Sequence, residues 1–108
     1  LIATLKDYDS VKLILDNNYI NIDSENILDQ SKISSKLEAL DYFIQQKKIL
    51  KKDICFIDDN ITHLIDPLKE SYNVFWAAWC NSLKEFKEMA EKKNILTLKD
   101  TTSLYKFL

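Results

Sequence analysis

The stretch that most constrains this chain is Ile54-Cys55-Phe56-Ile57-Asp58-Asp59-Asn60, an apolar run that meets two adjacent carboxylates. A continuous apolar run of this length, closed by charge, predicts a strand buried on both faces of a parallel sheet. The carboxylates then stand where the strand leaves the core. In open α/β sheets that carboxyl edge is where ligands bind. Two carboxylates there can hold a hard cation such as Mg²⁺, which prefers oxygen ligands and keeps several waters. The same pair can also cap the helix that follows, because aspartate is a favoured N-cap. The neighbouring segments bear on which role applies.

Those segments alternate between apolar runs and amphipathic ones. Residues 1–5 read as a short strand, and Asp9 or Ser10 can cap a helix carrying Val11, Leu13, Ile14 and Leu15. Tyr19 to Asp23 alternates as a short edge strand would. Residues 24–35 are rich in Ser, Asn and Asp and read as loop, with Ile27 and Leu28 as a small anchor. Ser34 or Ser35 opens a second helix, and Ser35 with Glu38 would complete a capping box. Leu37, Leu40, Phe43 and Ile44 give that helix one packing face. Ile61 to Tyr72 predicts a helix interrupted near Pro67, which lacks an N–H donor. Residues 73–78 predict a third strand, in which Trp76 and, just beyond it, Trp79 serve as core and rim packing. Asn81-Ser82 can cap a helix bearing Leu83, Phe86, Met89 and Ala90. Residues 94–98 predict a fourth strand, and a last helix begins at Asp100 and carries Leu104, Phe107 and Leu108. Strands alternating with helices imply a parallel sheet in a single α/β domain over residues 1–108.

Composition excludes several function classes. The 108 residues carry a net charge of −2, with the lysines scattered, so nothing marks a nucleic-acid surface or a polybasic membrane helix. No apolar run is long enough to span a bilayer, and no signal-peptide pattern is present, which leaves a cytoplasmic location as the expectation. Cys55 and Cys80 lie among apolar residues without metal-ligand spacing and read as buried free thiols. The sequence contains no glycine. A glycine-rich phosphate loop is therefore ruled out, and any phosphate site must use side chains and helix N-termini. His63, the one histidine, reads as a surface or cap residue, because no sequence neighbour supplies a partner to orient it.

In a parallel sheet Thr4, Lys36 and Asp58 fall at one edge, two at strand ends and one at a helix start. Lys36 is in the first turn of its helix, where the dipole favours an acidic residue instead. A local rule broken in this way is where function is expected, although an exposed lysine in a lysine-rich chain reads the same. A hydroxyl and an ammonium can hold phosphate oxygens while a carboxylate-bound Mg²⁺ offsets the remaining charge. Phosphoryl transfer needs little beyond such positioning and a nucleophile.

The order of an apolar strand with Thr4, then Ser35-Lys36 opening a helix, then Phe56-Ile57-Asp58-Asp59-Asn60, resembles the haloacid-dehalogenase-like hydrolases. The later Phe75-Trp76-Ala77-Ala78-Trp79 strand, followed by a helix and a short strand, is similar to members of the same family. The resemblance implies a three-layer α/β/α Rossmann-like sheet and a Mg²⁺-dependent phosphohydrolase. It implies Thr4 and Lys36 as phosphate-binding residues and Asp58 and Asp59 as metal ligands, with Lys36, Asp58 and Asp59 as the catalytic group. Its substrate would be a phosphorylated small molecule or a phosphoprotein.

That family also has an apolar strand ending in Asp-x-Asp, the nucleophile and acid/base, ahead of the threonine strand. Here three residues precede Thr4. The chain thus reads as an incomplete sheet lacking the nucleophile-bearing strand, to be completed by a further segment or by another chain. These 108 residues alone are expected not to hydrolyse phosphate esters. Receiver domains of two-component signalling also gather an Asp-Asp pair, a hydroxyl and a lysine around Mg²⁺, but their acidic pair comes first and here the order is reversed. A non-catalytic α/β module that binds a partner at this edge, or at the tryptophan-rich strand end, is the other reading.

Overall fold

In the computed structural model, which describes residues 1–106, the apolar runs become short parallel strands and the amphipathic runs become helices. The strands form two small parallel sheets, of two and three strands. They belong to two units, residues 1–48 and the residues from Ile49 onward.

In the first unit, strand β1 (Ile2–Ala3) lies parallel to β2 (Ile27–Leu28), with Ile2 opposite Ile27 and Ala3 opposite Leu28. Successive strand side chains point to opposite faces. Ile2 and Ile27 therefore pack with Val11 and Leu15 of helix α1 (Tyr8–Asn17), together with Tyr8 and Ile22. Ala3 and Leu28 pack with Ala39 and Phe43 of helix α2 (Lys36–Lys47), together with Ile33. Two residues per strand are enough because each one has a helix to bury against. Asp7, and not Asp9 or Ser10, caps α1: its carboxylate accepts from the Ser10 amide at 2.9 Å and the Ser10 hydroxyl at 2.7 Å.

Two expectations for this unit need correction. The Ile27-Leu28 anchor is a strand, and the alternating residues 19–23 are not. The last carbonyls of a helix need donors, and residues 18–20 supply them. Tyr19 turns left-handed (φ 56°), and the Ile20 amide returns to the Leu15 carbonyl at 2.9 Å.

The second unit has the order β3 (Cys55–Asp58), β4 (Asn73–Ala77), β5 (Leu96–Leu98), with Asp58 opposite Trp76 and Ala77 opposite Leu98. The central strand β4 is the buried one, from Val74 through Ala77. Strand β3 was expected to be covered on both faces and is covered on one. Phe56 is buried, while Cys55 and Ile57 on the opposite face are exposed. The cysteine expectation falls with it: both thiols are free, but both are exposed.

The helix expected over 61–72 divides into a 3₁₀ turn (Ile61–Leu64) and a short helix α3 (Ile65–Lys69). Pro67 sits in the first turn of α3, where its missing N–H leaves no bond unmade. Helix α4 (Lys84–Lys93) starts at Leu83 with no side-chain cap, instead of being capped by Asn81 and Ser82. Phe86 stacks edge-on against Trp76, with ring centroids 6.2 Å apart. A 3₁₀ stretch (Thr101–Lys106) replaces the start of the expected last helix, whose Phe107 and Leu108 lie outside the described residues. Among the described residues no helix is long and apolar enough to cross a membrane.

Without glycine, left-handed positions fall to other residues, namely Tyr19, Lys48, Ser71 and Asn94. Each such residue costs on the order of 1 kcal/mol relative to glycine. Lys48 ends α2 at φ 53°. Lys48→Gly should therefore stabilise the first unit by at most about 0.5 kcal/mol, the strain released less the added freedom of the unfolded chain. Urea unfolding read from amide signals of residues 1–48 checks this, and a lower midpoint would contradict it.

Candidate functional site

At the end of β3 the chain must carry a carboxylate out of the core. The Asp58 side chain is 8% exposed, so its charge needs donors close by. The Asn60 amide donates to Asp58 Oδ1 at 2.9 Å, and His63 Nδ1 lies 3.2 Å from Oδ2. Asn60 in turn caps the 3₁₀ turn, accepting from the Thr62 amide at 3.0 Å and the Thr62 hydroxyl at 2.6 Å. Ile61 and Leu64 are fully buried on the inner side of that turn. Asp59 is exposed, but its backbone is held: the Trp76 indole N–H donates to the Asp59 carbonyl at 2.9 Å. The two adjacent acids are thus unequal, one a braced and nearly buried group, the other an exposed group on a pinned backbone.

In the first unit Thr4 follows β1. Its amide donates to the Leu28 carbonyl at 2.9 Å, and its hydroxyl accepts from the Lys6 amide at 3.1 Å. Lys36 is the first residue of α2 and is half-buried. Its ammonium donates to the Ala3 carbonyl at 2.6 Å, a reach of 33 residues along the chain to the peptide beside Thr4. The structure therefore brings Thr4 and Lys36 together, and Lys36 is not one of the scattered surface lysines.

Ser35 caps α2 by accepting from the Glu38 amide at 3.1 Å. Glu38 reaches back one residue further than in the standard box, taking the Ser34 amide at 2.8 Å and the Ser34 hydroxyl at 2.7 Å. Those bonds hold its carboxyl below the usual range. Behind the same edge lies Asp29, which is 5% exposed and was not singled out from the sequence. The Ser31 hydroxyl, 2.7 Å from Oδ1, lowers its pKa, and its carbonyl takes the Lys32 and Ile33 amides. The Gln30 amide donates to the Lys6 carbonyl at 3.2 Å, which ties the segments leaving β1 and β2 to each other.

Sequence reasoning also missed His63. Its partner is five residues upstream, a separation that becomes a contact only because a 3₁₀ turn replaces the expected helix. Carboxylate oxygens fit Mg²⁺, and a carboxylate offers about four acceptor positions. Among the described residues no group of three or more His, Cys, Asp or Glu side chains forms a metal cage. Mg²⁺ characteristically uses one or two carboxylates with waters and substrate phosphate.

A cavity of the second unit lies elsewhere. A space of about 790 Å³ is lined by Trp76, Trp79, Lys87, Glu91, Asn94 and Lys99, among others, and neither Asp58 nor Asp59 borders it. No family model matches the chain, and no curated protein or solved structure matches it.

The Glu38 brace gives a pH dependence with a definite sign. Its folded pKa is depressed, so the stability it adds is complete above the ordinary glutamate value and is lost as pH falls through the folded value. On acidification into that range the first turn of α2, which presents Lys36, should fray before the helix centre does. Amide hydrogen exchange at residues 36–39 should rise with acid in the wild type and stay flat in Glu38→Gln, once corrected for intrinsic exchange. Parallel profiles for the two chains would contradict this.

Proposed function

We propose that this chain carries the phosphate- and Mg²⁺-binding parts of a phosphohydrolase of the haloacid-dehalogenase-like type. Thr4 and Lys36 would hold phosphoryl oxygens, and Asp58, with Asp59, would hold the ion. The observation that carries the reading is Lys36. A half-buried ammonium in the first turn of α2, bonded to the carbonyl beside Thr4, sits against the helix dipole and is hard to explain as packing. Mg²⁺, where bound, would offset phosphoryl charge. The chain's own part is to place the Lys36 ammonium and the Thr4 hydroxyl as donors and to brace the Asp58 carboxylate. The aspartyl nucleophile would come from a segment beyond these residues.

The proposal extends to architecture: one α/β domain with a three-layer, Rossmann-like sheet. Every strand pair described is parallel, and β1 and β3 each have one ladder partner among the described residues. A further strand, from the same protein or another chain, would complete the sheet, since open edges invite pairing. A phosphorylated small molecule or phosphoprotein would be the substrate. A cytoplasmic location fits two exposed cysteines that form no disulfide.

The second reading, a non-catalytic binding module, is favoured by the cavity at the tryptophan-rich strand end. Calorimetric titration of inorganic phosphate with and without Mg²⁺ separates the two. If Thr4, Lys36 and Asp58 serve one phosphoryl group, Mg²⁺ should tighten phosphate binding about fivefold or more, and phosphate should tighten Mg²⁺ binding equally. Lys36→Ala should abolish phosphate binding with or without the ion. Asp58→Asn should leave the weak Mg²⁺-free binding and remove the enhancement. An enhancement that survives Asp58→Asn would contradict the metal assignment, and an absence of phosphate binding would favour the module.

A further inference from the structure

His63 is the one histidine in the chain, and none of the roles above uses it. Its backbone sits between the buried Ile61 and Leu64 in a 3₁₀ turn capped by Asn60, and its amide donates to the Asn60 carbonyl at 3.0 Å. That turn packs against β3, β4, α3 and α4. The ring is thus delivered by a rigid scaffold to Asp58 Oδ2, 3.2 Å from Nδ1. The exposures are unequal, 31% for the histidine side chain and 8% for the aspartate. A pair of two exposed side chains would contribute little. Here the carboxylate is the group that needs the bond.

We propose that His63 is a positioning residue that carries its proton on Nδ1 and holds the Asp58 carboxylate in one rotamer. Asp58 already accepts from the Asn60 amide on Oδ1. An ionised carboxylate only accepts, so the hydrogen between it and His63 belongs to the ring. The Asn60 amide meets one oxygen and His63 meets the other, and two contacts on different oxygens set the plane of the group. A ligand held in this way loses less freedom when an ion arrives, and outer partners of ligating groups tune metal affinity for that reason. The functional consequence rests on Asp58 being an ion-holding residue, whereas the positioning role itself does not.

The test uses the isotopically labelled full chain in buffer where the ring nitrogen shifts show a single ring hydrogen. Long-range nitrogen–proton correlations should show hydrogen on Nδ1 and a bare Nε2. Three-bond couplings to the Asp58 carboxyl carbon should report one rotamer in the wild type and averaging in His63→Phe. His63→Asn, whose amide nitrogen stands near the place of Nδ1, should restore the single rotamer, which a merely space-filling role would not do. Apparent Mn²⁺ affinity, read from broadening at Asp58, should fall about tenfold in His63→Phe and recover in His63→Asn. Hydrogen on Nε2, or unchanged couplings in His63→Phe, would overturn the proposal. If Mn²⁺ leaves the wild-type Asp58 signals sharp, the metal reading fails, while tautomer and couplings still decide the positioning role.

Discussion

A carboxylate that leaves a sheet edge nearly buried must be met by donors, and that requirement shapes the second unit around Asp58. Hydrogen bonds to a charged group are worth about 1.5–3 kcal/mol each, and an uncompensated buried charge costs more than a single bond returns. The chain answers by turning back at once. Asn60 donates through its backbone and then caps the turn that brings His63 round. Ile61 and Leu64 anchor that turn in the core, and Trp76 on the neighbouring strand pins the Asp59 carbonyl. Apolar burial and polar satisfaction are thus the same few residues seen from two sides.

The first unit solves the matching problem for a cation. An ammonium in the first turn of a helix is opposed by the dipole, so Lys36 needs acceptors, and the Ala3 carbonyl is one of them. Glu38, one turn along, restores favourable charge at the helix start while bonding Ser34. The Gln30 amide, bonded to the Lys6 carbonyl, ties the segments that leave the two strands. The short strands survive because α1 and α2 bury their opposite faces. In both units the polar group ends a strand or begins a helix, and the packing behind it is apolar.

The features legible from sequence were those set by local pattern. The 54–60 run announced a strand ending in charge, and Ser35 with Glu38 announced the start of α2. The 73–78 run gave the strand with Trp76 inside and Trp79 at the rim, the latter 41% exposed. Features set by tertiary partners were not legible. Nothing local tells a strand covered on both faces from one covered on a single face, so Cys55 and Ile57 were expected inside and lie outside. A two-residue strand such as Ile27-Leu28 is too short to show a period, while the alternation at 19–23 was spent on closing α1. Of the candidate residues, Thr4, Lys36 and Asp58 could be singled out by residue type and order. His63 could not, because its contact with Asp58 depends on a turn type that the sequence read as helix. A histidine five residues after a strand-end aspartate, with an Asn cap between them, is the signal that could have found it.

The claim on which the rest turns is that the braced Asp58 carboxylate is there to hold a hard cation. Crystals of this chain soaked in Mn²⁺ and measured at the manganese absorption edge would locate the ion by its anomalous signal. A peak within coordination distance of an Asp58 oxygen, at about 2.0–2.3 Å and lost in Asp58→Asn, is the predicted result. A map without a peak at the end of β3, or a peak there that persists in Asp58→Asn, would show that the carboxylate serves the loop alone.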